Sequence, residues 1–230
     1  SSARLNAFVD AAFAFAVTLV VVGTSSGAGE GADVLSAFRD TPAYLASFVL
    51  LAMFWHGHVR WRATGLGDGR LAVLLSLGLV FSVLMYVLPL RLMSLSMMQL
   101  VGLGVSNQSS TLDVRDLFAL YGLVFFLLAG LIAALFWCSW RDLKGNDNSR
   151  AYASGEFGVW AILAGAGGLS LVLATLTPFY GLAPWVYPLL GPVIGWFAWR
   201  HRWTAEPAVD SGEPREGATA TTVSSEPSQG

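Results

Sequence analysis

The sequence predicts an all-α integral membrane protein with six transmembrane helices per subunit. Hydrophobic residues make up 55% of its 230 residues and charged residues only 12%, about half the charged share of a soluble domain. A helix needs roughly 20 mostly apolar residues to cross a bilayer, and six stretches meet this requirement. They are residues 5–23, 42–61, 71–98, 117–140, 156–178 and 182–200.

The six stretches form one predicted transmembrane domain, residues 1–203, followed by a polar tail over residues 204–230. The tail has almost no bulky apolar residue, so we expect it to be disordered. A single cysteine, Cys138, excludes an intrachain disulfide framework. The net charge is −2 and the basic residues are scattered, which excludes a nucleic-acid-binding surface.

Basic residues near the helix ends predict the orientation, because cytoplasmic loops carry more Lys and Arg. One side holds Arg4, Arg60, Arg62, Arg70, Arg141, Lys144, Arg150, Arg200 and Arg202. The other side has Arg39, Arg91 and Arg115. Both termini are therefore expected in the cytoplasm.

A secretory signal peptide is the alternative for the first stretch, since it has a basic start and an apolar core followed by small residues. Asp10 lies inside that core, and the run of roughly 19 residues is long for a signal peptide. Both features favour a spanning helix.

The large apolar residues of the first stretch share one side of the predicted helix. At about 100° per residue they occupy a stripe about 60° wide, with small residues on both flanks. This apolar ridge consists of Phe8, Phe15, Leu19 and Val22, with Arg4 in line and Thr18 at its edge. Ordinary packing or lipid contact is one interpretation. The other is a hydrophobic constriction formed by several copies around an axis, which can gate an ion pathway by dewetting.

Asp10 points away from the ridge and needs a partner or a watery cavity, because a carboxylate inside a bilayer is costly. The second stretch supplies His56 and His58 near the same membrane level. We expect an Asp10–His58 contact with Arg4 nearby. The alternative is that both histidines reach out to the membrane interface.

Motifs for enzymatic chemistry are missing from the sequence: there are no paired carboxylates, nucleophile triad, phosphate loop or metal cluster. We therefore expect no enzymatic activity, no catalytic or metal-ligating residue and no cofactor. Glu156 is interpreted as an acid at the start of the fifth helix. Two other classes stay open: a haem protein using histidines such as His201, and a secondary transporter with a proline-broken C-terminal third.

The first two stretches together resemble the transmembrane protein 175 family of potassium-permeable channels. The family motif R-x-x-x-F-S-D reads RLNAFVD here, with Arg4, Phe8 and Asp10 matching and Val9 in place of the serine. The second-helix pattern is matched by Trp55, His58 and Arg60.

This resemblance implies a homotetramer in a plasma or inner membrane, with helix one lining a central pore for monovalent cations, chiefly potassium. It implies a gate at Phe15, Leu19 and Val22, with Thr18 lining the pore. It also implies a structural network of Arg4, Phe8, Asp10, Trp55 and His58. No T-V-G-Y-G-like loop is present, so we expect weak selectivity. Phe15 is bulkier than the residue usual in the family.

Overall fold

The structure, a computed structural model, describes residues 2–22, 41–64, 69–100, 114–143, 147–176 and 180–201, and the regular elements there are all helical. The α-helices are α1 (Ser2–Val22), α2 (Thr41–Arg62), α3 (Arg70–Leu100), α4 (Val114–Asp142), α5 (Asp147–Leu176) and α6 (Leu190–His201). A 3₁₀ helix, Tyr180–Val186, precedes α6. The predicted disordered tail lies outside the described residues.

Four of the described helices are long and apolar enough to cross a membrane: α1, α3, α4 and α5. α2 has 22 residues, about 33 Å of helix, so its length also suffices. Its second half is rich in Trp, His and Arg, which lowers its hydropathy. The all-helical fold agrees with the sequence prediction; of the six α-helices in the described residues, four qualify as membrane spans by length and hydropathy.

The sixth predicted span, 182–200, is wrong as a continuous helix. The chain forms the 3₁₀ helix and a turn before α6 begins at Leu190. Prolines at 184 and 188 explain the break, because proline lacks the N–H that an α-helix interior requires. α6 has only 12 residues, about 18 Å of helix, against a hydrocarbon thickness of about 30 Å.

Aromatic rings contributed by α2, α3, α4 and α5 fill the centre of the bundle. Phe54 is fully buried, and its ring centroid lies 5.3 Å from that of Phe125, 6.0 Å from Tyr86 and 5.9 Å from Trp160. Offset and edge-to-face pairs at such separations add to the free energy gained by burial. The core therefore ties α2 to three other helices.

Helices α4 and α5 pack closely because glycines face each other across their contact. A Cβ atom on Gly167 would lie 2.7 Å from the backbone N of Phe126 and 3.1 Å from the carbonyl oxygen of Gly122. Small residues allow such close approach between helices in membranes. At one end of this pair, the Arg115 guanidinium donates to the carbonyl oxygens of Ala174 and Thr175, which completes the C-terminal turn of α5.

Gly167→Ala should lower the free energy of unfolding by about 1–3 kcal/mol, since the added methyl group overlaps the α4 backbone. Thermal unfolding of the detergent-solubilised protein measures the change. Gly165→Ala is the matched control, because nothing lies within 4 Å of a Cβ atom there. Equal stability of the two variants would contradict the close α4–α5 contact.

Candidate pore helix and its anchor

Helix α1 has one face packed against its own subunit. Val9, Phe13, Ala16 and Val20 are buried there, and they recur at the three- and four-residue spacing of a single helix face. The helix contacts α2 and α3. Its packing makes α1 part of the bundle core, which favours the spanning helix over the signal-peptide alternative.

Phe8 and Phe15 of the predicted apolar ridge lie on another side of α1 and point out of the bundle, whereas Leu19 also packs against the core. Phe8 is 53% exposed and Phe15 is 56% exposed. Leu19 is half-buried, and Arg4 and Thr18 are exposed. The Thr18 hydroxyl donates to the carbonyl oxygen of Ala14 at 3.0 Å. Val22 ends the helix, but its side chain lies outside the described residues.

Asp10 is held by two side chains of α2. The Trp55 indole donates to Oδ1 at 2.9 Å. The Arg62 guanidinium donates to Oδ2 at 3.2 Å and to Oδ1 at 3.1 Å. A bidentate arginine–carboxylate pair fixes the relative orientation of the two side chains as well as the distance between them. We call Asp10, Trp55 and Arg62 the α1 anchor.

The predicted Asp10–His58 contact is wrong. His58 is fully buried, and its Nε2 lies 3.2 Å from the Ser76 hydroxyl on α3. The side chain points toward α3 rather than toward α1, because His58 lies on the face of α2 that packs into the bundle. His56 is exposed.

Arg4 and Phe8 do not join the anchor either. Both are exposed on the ridge side, and among the described residues the only ion pair of Asp10 is with Arg62. The expected position of Arg4 beside Asp10 is therefore not observed: the ion-pair partner of Asp10 is Arg62. Val9, where the family motif has serine, is fully buried, so apolar packing against the bundle replaces the missing hydroxyl.

Arg62 was missed by the sequence argument, although a signal for it exists. It follows Trp55 by seven residues, about two helical turns, so both side chains leave α2 on the same face. Glu156 was also misjudged. It lies well inside α5, is 2% exposed, and its Oε1 is 2.7 Å from an Arg60 nitrogen.

A groove between α1 and α2 runs beside the anchor. It encloses about 300 Å³ and is lined by Asp10, Phe13, Ala14, Val17, Phe48, Leu51, Ala52 and Trp55. The only ionisable group in this lining is Asp10, whose carboxylate is already bound by Trp55 and Arg62. No group of three His, Cys, Asp or Glu side chains in the described segments could hold a metal ion.

The geometry can be compared with known proteins. Residues 4–89, which contain the ridge and the whole α1 anchor, match the family described as the endosomal/lysosomal potassium channel TMEM175. This part of the chain, α1 to most of α3, therefore resembles the TMEM175 family. The resemblance inferred from Arg4, Phe8, Asp10, Trp55 and His58 is thereby confirmed.

Two individual proteins extend the comparison. A protein from Marivirga tractuosa named "Potassium channel" is 26% identical over 148 residues, which span 60% of this chain and 59% of that relative. A crystallised variant of the potassium channel MtTMEM175, in complex with a nanobody–MBP fusion protein, superposes with a TM-score of 0.70 at 23% identity. That alignment covers 87% of this chain and 94% of the other. At this identity the likeness shows the shared fold.

Asp10→Asn and Arg62→Gln should each lower the free energy of unfolding by about 1 kcal/mol, between the values for exposed ion pairs and for buried charged hydrogen bonds. The double variant should lose little more than either single one, because both changes remove the same interaction. Chemical unfolding of the four proteins measures the coupling. Asp142→Asn, at an exposed carboxylate on α4, is the control; strictly additive losses would contradict the anchor.

Proposed function

We propose that the protein is a passive, weakly selective, potassium-permeable cation channel. Four copies surround a central axis, and α1 of each copy lines the pore. The observation that carries the proposal is the orientation of α1. Its buried face and Asp10 are taken up by its own subunit, so Phe15 faces away from the bundle at 56% exposure. The TMEM175 match over residues 4–89 includes this helix.

Exposure of an apolar ridge alone fits lipid contact equally well, so the polar residues on the same stripe matter. Arg4 is in line with Phe8 and Phe15, and Thr18 is at the edge of the ridge; both are exposed. Polar side chains in membrane segments usually face a protein interior or water rather than lipid. The mixed stripe therefore favours a pore axis.

Phe15, Leu19 and Val22 form the proposed gate. Rings of apolar side chains expel water from a narrow passage, and an ion cannot cross the dry segment without losing its hydration shell. The larger Phe15 side chains give a tighter ring than isoleucine or leucine. Thr18 lies between the first two rings, and its hydroxyl donates to the carbonyl oxygen of Ala14.

The proposed membrane location and orientation follow from the charge distribution and the fold. The proposed location is a plasma or inner membrane, with both termini in the cytoplasm. The structure supports the grouping of charges, because Arg60 and Arg62 at the end of α2 meet Glu156 of α5 and Asp10 of α1. Arg115 meets the far end of α5. The last crossing would use the 3₁₀ helix and α6 together.

Phe15→Ala and Leu19→Ala should each raise potassium flux, because a wider ring is more easily wetted. An increase of about tenfold corresponds to a barrier lowered by about 1.4 kcal/mol. Dissipative potassium flux from liposomes containing the purified protein measures it. Phe81→Ala is the control, since Phe81 is an equally large apolar side chain that is 66% exposed but lies on α3 rather than on α1.

Absence of potassium flux from every variant, in protein that is folded and tetrameric, would contradict the channel proposal. Equal increases for Phe15→Ala and Phe81→Ala would instead contradict the gate.

A further inference from the structure

Arg60 and Arg62 are separated by one residue, yet they bind different helices. Two residues along an α-helix correspond to about 160° between side-chain directions. Arg62 reaches α1 through Asp10, and Arg60 reaches α5 through Glu156. The end of α2 is therefore held between the proposed pore helix and the rest of the bundle.

The contact with α5 is an ion pair between buried Glu156 and partly exposed Arg60, with additional partners. The Glu156 side chain is 3% exposed, and its Oε1 lies 2.7 Å from an Arg60 terminal nitrogen. The Arg60 Nε donates to the Tyr152 hydroxyl at 3.0 Å, and the guanidinium lies 5.5 Å from the centroid of that ring. A buried charge of this kind is strongly constrained, because losing its partner leaves it unpaired in an apolar setting.

Direct packing at Gly57 reinforces the same contact one helical turn away. A Cβ atom there would overlap ring atoms of Trp160 on α5. The Phe54 ring also packs against Trp160, with 5.9 Å between centroids. The position of α2 is thus set from the α5 side by Arg60, Gly57 and Phe54.

We propose that Arg60 and Glu156 are positioning residues for the gate. This inference rests on the proposed channel function. The pair fixes α2 against α5, and α2 in turn holds Asp10 through Trp55 and Arg62. Asp10 and Phe15 lie about 140° apart around α1. A firmly held Asp10 therefore keeps Phe15 directed to the axis, and a loosened α2 lets α1 turn and widens the ring.

Potassium flux from liposomes tests the proposal with Glu156→Gln, Arg60→Gln and the double variant. Each single change should raise flux by about two- to thirtyfold, the usual range for positions that modulate coupling. The double variant should match a single one, because one interaction is lost. The charge exchange Arg60→Glu with Glu156→Arg should return flux toward the original value. Asp142→Asn, at an exposed carboxylate, should leave flux unchanged.

The same substitutions in a Phe15→Ala, Leu19→Ala background separate positioning from a general folding role. With the gate removed, Glu156→Gln should have no further effect on flux. The same fold-change in both backgrounds, or unchanged flux of Glu156→Gln in the original background, would overturn the proposal.

A measurement without flux separates this inference from the channel function. Ala7→Cys in a Cys138→Ser background places one thiol on the exposed side of α1, one turn before Asp10. Glu156→Gln should change its labelling rate by a water-soluble maleimide at least about twofold, whereas Asp142→Asn should not. If no variant conducts, the channel function fails and this rate decides the positioning role: an unchanged rate overturns it.

Discussion

The rest of this structure depends on the bidentate ion pair between Asp10 and Arg62. It sets the rotation of α1 about its own axis, because the carboxylate accepts from Arg62 and from Trp55 at the same time. With that side of α1 directed at α2, Phe8 and Phe15 have to face away from the bundle. Where the ridge points is therefore a consequence of where the charge is bound.

Four charged side chains of the described helices connect one helix to another. A charged side chain in a bilayer is costly unless it has an ionic partner or is hydrated. The two ion pairs here each join two helices: Arg62 with Asp10, and Arg60 with Glu156. Each pair is supported by an aromatic side chain that donates or accepts a hydrogen bond, Trp55 in one case and Tyr152 in the other. One aromatic side chain thus contributes a hydrogen bond to each ion pair.

Hydropathy and helical periodicity were sufficient to predict much of this fold. The helices α1 to α5 follow from apolar stretches, and the shared exposed side of Phe8 and Phe15 follows from their spacing on α1. Periodicity gives directions within one helix, however, and not the neighbour that each face meets. His58 was assigned to Asp10 for this reason, since matching depth in the membrane does not distinguish the face toward α1 from the face toward α3.

Local chemistry that competes with hydropathy accounts for the remaining errors. The stretch 182–200 is apolar enough to span, but its prolines interrupt the backbone hydrogen bonds and leave α6 with 12 residues. Glu156 was placed at a helix start because an acid is favourable there. The helix in fact begins at Asp147, nine residues earlier, and the buried Glu156 carboxylate is paired with Arg60, nearly a hundred residues earlier in the sequence.

Cadmium block of potassium flux through a Phe15→Cys variant, in a Cys138→Ser background, tests most directly whether the ridge of α1 lines the ion pathway. In the proposed tetramer, four thiols around the axis would form a soft-ligand site that suits this cation. The account predicts that micromolar cadmium stops the flux of this variant and leaves that of the Cys138→Ser parent unchanged. Undiminished flux with the thiol at position 15 present and reactive would place the pathway elsewhere and contradict the account.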